Sequence, residues 1–223
     1  MEMIGGMGDV IAAFLAGDAF MLQSAMRGNP AIWPLGLIAT LLGGFIMVLV
    51  YRAVPWIERN LEPAIMVVAY LAIGYIIFSG VFQRFFLDGQ PPWSTTIPPF
   101  LFLVMTWVGC SYNVKLRTHL AFAEFRKNLP RAGQLFMLLF DAVLWLGFAW
   151  IVVVTTTQET VRAAANFSIM LGTDNVMQWW FLGTVPIAFI LLTARVIENV
   201  FQDLNKFRNG DEMIEAAVIG GDA

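Results

Sequence analysis

Charge is scarce in this sequence, and that scarcity excludes more than any other feature. Lys, Arg, Asp and Glu make up 13% of the 223 residues, whereas soluble domains average about a quarter. Half that share cannot wet the surface of a water-soluble globule, so lipid must solvate most of the chain. Cysteine occurs once, as Cys110, which rules out an intrachain disulfide and a cysteine-built metal cluster. Histidine also occurs once, as His119, too few imidazoles for a zinc site or a bis-histidine haem. A net charge of −3 supplies no basic face for nucleic acid. The first cation is Arg27, so residues 1–26 lack the basic start of a secretion signal. No phosphate loop, nucleophile elbow or acidic metal cluster is present, and no enzyme activity, metal or cofactor is expected.

What remains is 59% hydrophobic residues, gathered into charge-free runs. A bilayer core of about 30 Å takes about 20 apolar residues as helix. Five runs meet that length: 28–51, 63–83, 89–114, 132–155 and 175–194. The third is proline-rich at its front (Pro91, Pro92, Pro98, Pro99), so its helix is expected to start near Ile97. The fourth is interrupted once, by Asp141, and the fifth is closed by Arg195. The fold class is therefore all-α, a polytopic membrane bundle of about five transmembrane helices. Residues 1–27 are apolar but broken by glycines and Asp9 and Asp18, and read as an interfacial amphipathic segment. Residues 209–223 read as a mobile acidic tail.

Orientation follows lysine and arginine. One side of a five-span chain carries Arg52, Arg59, Lys115, Arg117, Arg126, Lys127, Arg131, Arg195, Lys206 and Arg208. The other carries Arg27, Arg84 and Arg162. The N-terminus is thus expected in the periplasm and the C-terminus in the cytoplasm of a bacterial inner membrane. Trp33, Trp56, Trp93, Trp179 and Trp180 fall near span ends, where indoles anchor at headgroups.

Few residues are candidates for chemistry. Asp141 is the one interior charge of the five runs, with no basic partner evident inside the membrane. It is either a coupling-ion or proton site or a polar contact to a neighbouring helix. His119 reads as a headgroup-facing or capping residue. Arg84 ends the second run, where it could meet an anion or snorkel to the interface. The turn at 89–94, with Trp93 and Ser94, is a plausible docking surface. The 115–131 segment alternates apolar residues with Lys115, Arg117, Arg126, Lys127 and Arg131, as expected of a short interfacial helix whose cations face anionic lipid.

Taken in order, Gln83-Arg84-Phe85-Phe86, Pro92-Trp93-Ser94, Gly109, Arg117-Thr118-His119-Leu120 and Leu129-Pro130 resemble the small permease (Q) subunits of tripartite ATP-independent periplasmic (TRAP) transporters. The resemblance runs from about Leu61 to Val200. Two departures are Thr95 and Thr96, where the family usually has an acid, and an additional N-terminal span. The resemblance implies residues 61–208 as a four-helix small-permease domain, with 28–60 an extra helix and connector. It also implies a scaffold for a large membrane subunit that holds the substrate and sodium sites, importing an organic anion such as a carboxylate or acidic sugar. The partners implied are that large subunit, a periplasmic solute-binding protein and membrane phospholipid wedged between the subunits. Arg84 and the 89–94 turn would face the docking site, and Asp141 would be a structural contact. No substrate-binding residue is expected in this chain. The alternatives are an autonomous small transporter built on Asp141, or a membrane anchor subunit of a redox enzyme.

Overall fold

The computed structural model describes residues 2–117, 126 and 128–214. Among them the chain is helical apart from turns and one isolated bridge, Ile169 to Met177. Two short helices, α1 (Glu2–Ala16) and α2 (Ala19–Met26), precede α3 (Ile32–Ala53), α4 (Pro55–Phe86), α5 (Trp93–Leu116) and α6 (Arg131–Ala165). A single turn, α7 (Trp179–Leu182), leads into α8 (Thr184–Asn209). The five long elements are each long and apolar enough to cross a bilayer, so the chain is the polytopic membrane bundle its composition requires. α1, at 15 residues, falls short of the roughly 20 a span takes.

Local chemistry sets the helix ends. Gly17, at φ 69°, closes α1, and Asp18 then caps α2, its Oδ1 accepting from the N–H of Phe20 at 2.8 Å and Met21 at 3.2 Å. Pro55 opens α4, where a missing N–H costs nothing. Gly210, at φ 89°, closes α8.

Several boundaries differ from the charge-free runs. α5 starts at Trp93 and not near Ile97. Ser94 Oγ donates to the Pro91 carbonyl at 2.7 Å and Thr95 Oγ1 to that of Pro92 at 3.1 Å, and these bonds build the first turn. Pro98 and Pro99 then forfeit only bonds to the carbonyls of Ser94 and Thr95. α4 and α6, at 32 and 35 residues, overrun their runs at both ends, and α8 continues fourteen residues past Arg195 to Asn209. A helix ends where its backbone bonding stops, and a charge with a partner does not stop it. Glu62 and Arg195 are therefore interior helix residues, so Asp141 is not the one interior charge.

α8 is the hub. Its Val185, Phe189, Leu192 and Val196 are buried with Ala149 and Val153 of α6 and Val114 of α5. α3 comes close because Gly44 has no side chain: a Cβ there would sit 2.5 Å from Thr193 Cγ2. Small residues let membrane helices pack backbone to backbone in this way. α4 lies outermost, leaning mainly on α5, and leaves Tyr70, Leu71, Tyr75 and Phe78 exposed. α1 and α2 form a helical hairpin laid on α3 and α6, tied where Asn29 Nδ2 donates to the Gly6 carbonyl at 3.0 Å.

Candidate functional site

The polar centre of the molecule is built around Arg195, 1% exposed on α8. Its Nε and Nη2 fork onto Glu62 of α4, at 2.9 Å to Oε1 and 2.7 Å to Oε2. Nη1 donates to Glu58 Oε1 at 3.1 Å and Glu198 Oε2 at 2.9 Å, and Nη2 also reaches the Glu58 carbonyl at 2.8 Å. A guanidinium has five N–H donors, and these five bonds use all of them. The ring of Tyr51 on α3 lies under the guanidinium, 4.0 Å from centroid to carbon, a cation–π contact.

Glu62, wholly buried, also accepts from Ser111 Oγ of α5 at 3.0 Å and from the Tyr51 hydroxyl at a long 3.4 Å. Lys115 of α5 donates to Glu58 Oε1 at 2.7 Å and to its carbonyl at 3.0 Å. Two cations thus face three carboxylates, drawn from three helices, with Tyr51 contributed by a fourth. Isolated charges would be prohibitively costly here; paired and fully hydrogen-bonded they hold one geometry. The chemistry is that of a clamp, since no N–H of Arg195 is left over for a substrate.

The same end of the bundle is pinned by further cations. Arg117, in the left-handed conformation at φ 54° that ends α5, pairs with Asp203 at 2.7 Å and donates to the Asn199 carbonyl at 3.2 Å. Asn199 Nδ2 in turn donates to the Val114 carbonyl at 2.9 Å, reinforcing the longer 3.3 Å bond that this carbonyl accepts from the Arg117 N–H at the end of α5. Arg131 Nη2 donates to carbonyls of Lys206, Phe207 and Asp211 at 3.2–3.4 Å. Arg126 pairs with Asp141 at 2.6 Å, so Asp141 has the basic partner that the sequence did not reveal. The charge-free stretch that follows, residues 142–158, is long enough for a span of about 17 residues. Asp141 therefore need not lie at mid-bilayer. Lys115, Arg117, Arg126 and Arg131 all meet protein acceptors; His119 and Lys127 lie outside the described residues.

At the opposite end Ser94 is buried against Gly80 and accepts from Gln90 Nε2 at 3.0 Å, a role within the turn. The 166–178 connection packs onto this turn. Its Gly172, at φ 79°, lies so close that a Cβ would meet Pro92 Cβ at 2.5 Å and the Trp93 nitrogen at 2.9 Å. Met170 of this connection is 1% exposed. Trp93 is half-buried at the start of α5, and Arg84 is exposed in the last turn of α4. Around them Phe85, Phe86, Leu87, Phe167 and Leu171 are all exposed. The turn, Trp93 and Ser94 thus share one end of the molecule with Arg84, apart from Asp141 and the basic segment.

Residues 73–206 match the family described as "Tripartite ATP-independent periplasmic transporters, DctQ component". The chain is also similar to the sialic acid TRAP transporter small permease protein SiaQ of Vibrio cholerae, 25% identical over 145 residues, covering 65% of this chain and 82% of that protein.

Proposed function

This chain belongs to the DctQ family, the small permease subunits of TRAP transporters, and from that premise we propose that it is the static membrane scaffold of a sodium-driven importer of an organic anion. It is a multi-pass membrane component of a transporter and not an enzyme. The family implies two partners, a large membrane subunit and a binding protein. The observation that carries the scaffold reading is the Arg195 clamp. It joins α3, α4, α5 and α8 by bonds that would all have to break for these helices to move apart. A subunit locked this way serves as the fixed body against which a partner moves, and the sodium and substrate sites then belong to the large subunit.

The substrate class rests on the relative, named for sialic acid, an acidic sugar. The lysine and arginine asymmetry supports a periplasmic N-terminus, a cytoplasmic clamp and a periplasmic 89–94 turn. The exposed apolar side chains around that turn, with Arg84 beside them, suit contact with the binding protein. The outward face of α4 suits burial against the large subunit or lipid, and phospholipid filling that seam is part of the proposal.

Reconstitution into liposomes tests the reading. This chain together with the large subunit and binding protein should take up the anion under an inward sodium gradient. This chain alone should take up none. Uptake by this chain alone would favour the autonomous-transporter reading.

A further inference from the structure

The α1–α2 hairpin, which lies outside the 73–206 match, does not simply cover α3 and α6. Between the four helices runs an open apolar groove of about 320 Å³, lined by Val10, Phe14, Leu22, Leu35, Ala39 and Val153 among others. Such a volume is within the range of about 300–1,000 Å³ typical of ligand sites, and water gains nothing in a lining this apolar. A second, polar hollow of about 580 Å³ adjoins it, with Met26 lining both.

Arg27, Arg162, Gln23, Gln158, Asn166 and Glu159 line that hollow, so one carboxylate stands beside its two guanidinium groups. Of the three arginines on this side of the sequence, two converge here. Arg27 has no ion pair among the described residues, and Arg162 has only a loose, exposed contact to Glu159 at 3.6 Å. An apolar slot beside a hollow with two available guanidinium groups, Met26 forming part of the wall of each, is complementary to an acyl chain joined to a phosphate. Guanidinium forks match phosphate oxygens in geometry as well as charge.

We propose that the α1–α2 hairpin, α3 and α6 form a phospholipid site, with one acyl chain in the groove and the phosphate held between Arg27 and Arg162. The site is internal to this chain and separate from any lipid at a seam between subunits. It gives the N-terminal helices a function: they retain one lipid molecule against the bundle.

The test is mass spectrometry under non-denaturing conditions on the full chain, extracted from its native membrane in mild detergent. Three proteins are compared: wild type, Arg27→Gln/Arg162→Gln, and Ala39→Trp. All three positions are exposed, so the fold is retained, which circular dichroism and gel filtration check. Wild type should retain one phospholipid per chain. Each variant should lower that occupancy about tenfold or more, the first by removing both charged hydrogen-bonding partners of the phosphate and the second by filling the groove. Equal retention by wild type and both variants overturns the proposal. So does wild type holding only detergent, which would make the groove apolar without headgroup recognition. Displacement of the lipid by inorganic phosphate alone would also overturn it, since the site would then be one for a free anion.

Discussion

A guanidinium can be buried only if each of its N–H groups has an acceptor, and Arg195 meets that condition with Glu58, Glu62 and Glu198. Removing one member strands the others. Arg195→Met should leave Glu62 buried and unpaired at a cost of roughly 3–5 kcal/mol, read as a large fall in the melting temperature of the detergent-solubilised protein. Arg195→Met/Glu62→Leu should recover most of that loss, because an apolar pair of similar size needs no partner. Arg195→Lys should not, since an ammonium cannot fork onto a carboxylate and reach Glu198 together. Asp141 contrasts with this. Its side chain is 36% exposed in its pair with Arg126, and Asp141→Asn should cost under about 1 kcal/mol. Transport by the assembled complex should then stay within about twofold of wild type, and abolished flux would count against a structural role. The sequence drew attention to Asp141 and not to Glu62 for a physical reason. Asp141 interrupts an apolar run and stands out, whereas Glu62 and Arg195 border apolar runs and look like ordinary span ends.

The helices themselves were legible, and their ends less so. The tryptophans at 33, 56, 93, 179 and 180 do sit at element ends, and the five spans match five long helices in order. The overruns were legible only through periodicity. Leu192, Val196, Val200 and Asp203 continue one inward stripe of α8 past Arg195, a pattern that counting charge-free residues cuts short. Glu62 announces nothing in one dimension, because its partner lies 133 residues away. The close seat of Gly172 on Pro92 was equally hidden, since a glycine in a loop has many possible reasons. It makes a prediction at the scale of this connection. Gly172→Ala combines a left-handed backbone, costing roughly 1–2 kcal/mol for a residue with a side chain, with overlap onto Pro92 and Trp93. Hydrogen exchange should quicken across 166–178 while amides of α8 keep their protection. If binding-protein contact lies here, the affinity of that protein for the complex should fall in parallel.

Across the whole molecule, polarity is divided unequally between the two ends. One end carries the Arg195 clamp, the ion pairs of Arg117 and Arg126 and the carbonyl bonds of Arg131; the other carries a proline turn and exposed aromatics. A bundle locked at one end, with apolar surface along α4, is suited to holding a position in a larger membrane assembly. Membership of the DctQ family supplies the identity of that assembly, which composition alone could not. The central claim is that this chain works only as part of such a complex, and affinity purification from native membranes in mild detergent tests it most directly. One large multi-span protein recovered in equal amount with this chain is the predicted result, with the pairing weakened in Arg195→Met. Recovery of this chain alone, monodisperse and stable, with no large partner at any detergent concentration, would contradict it.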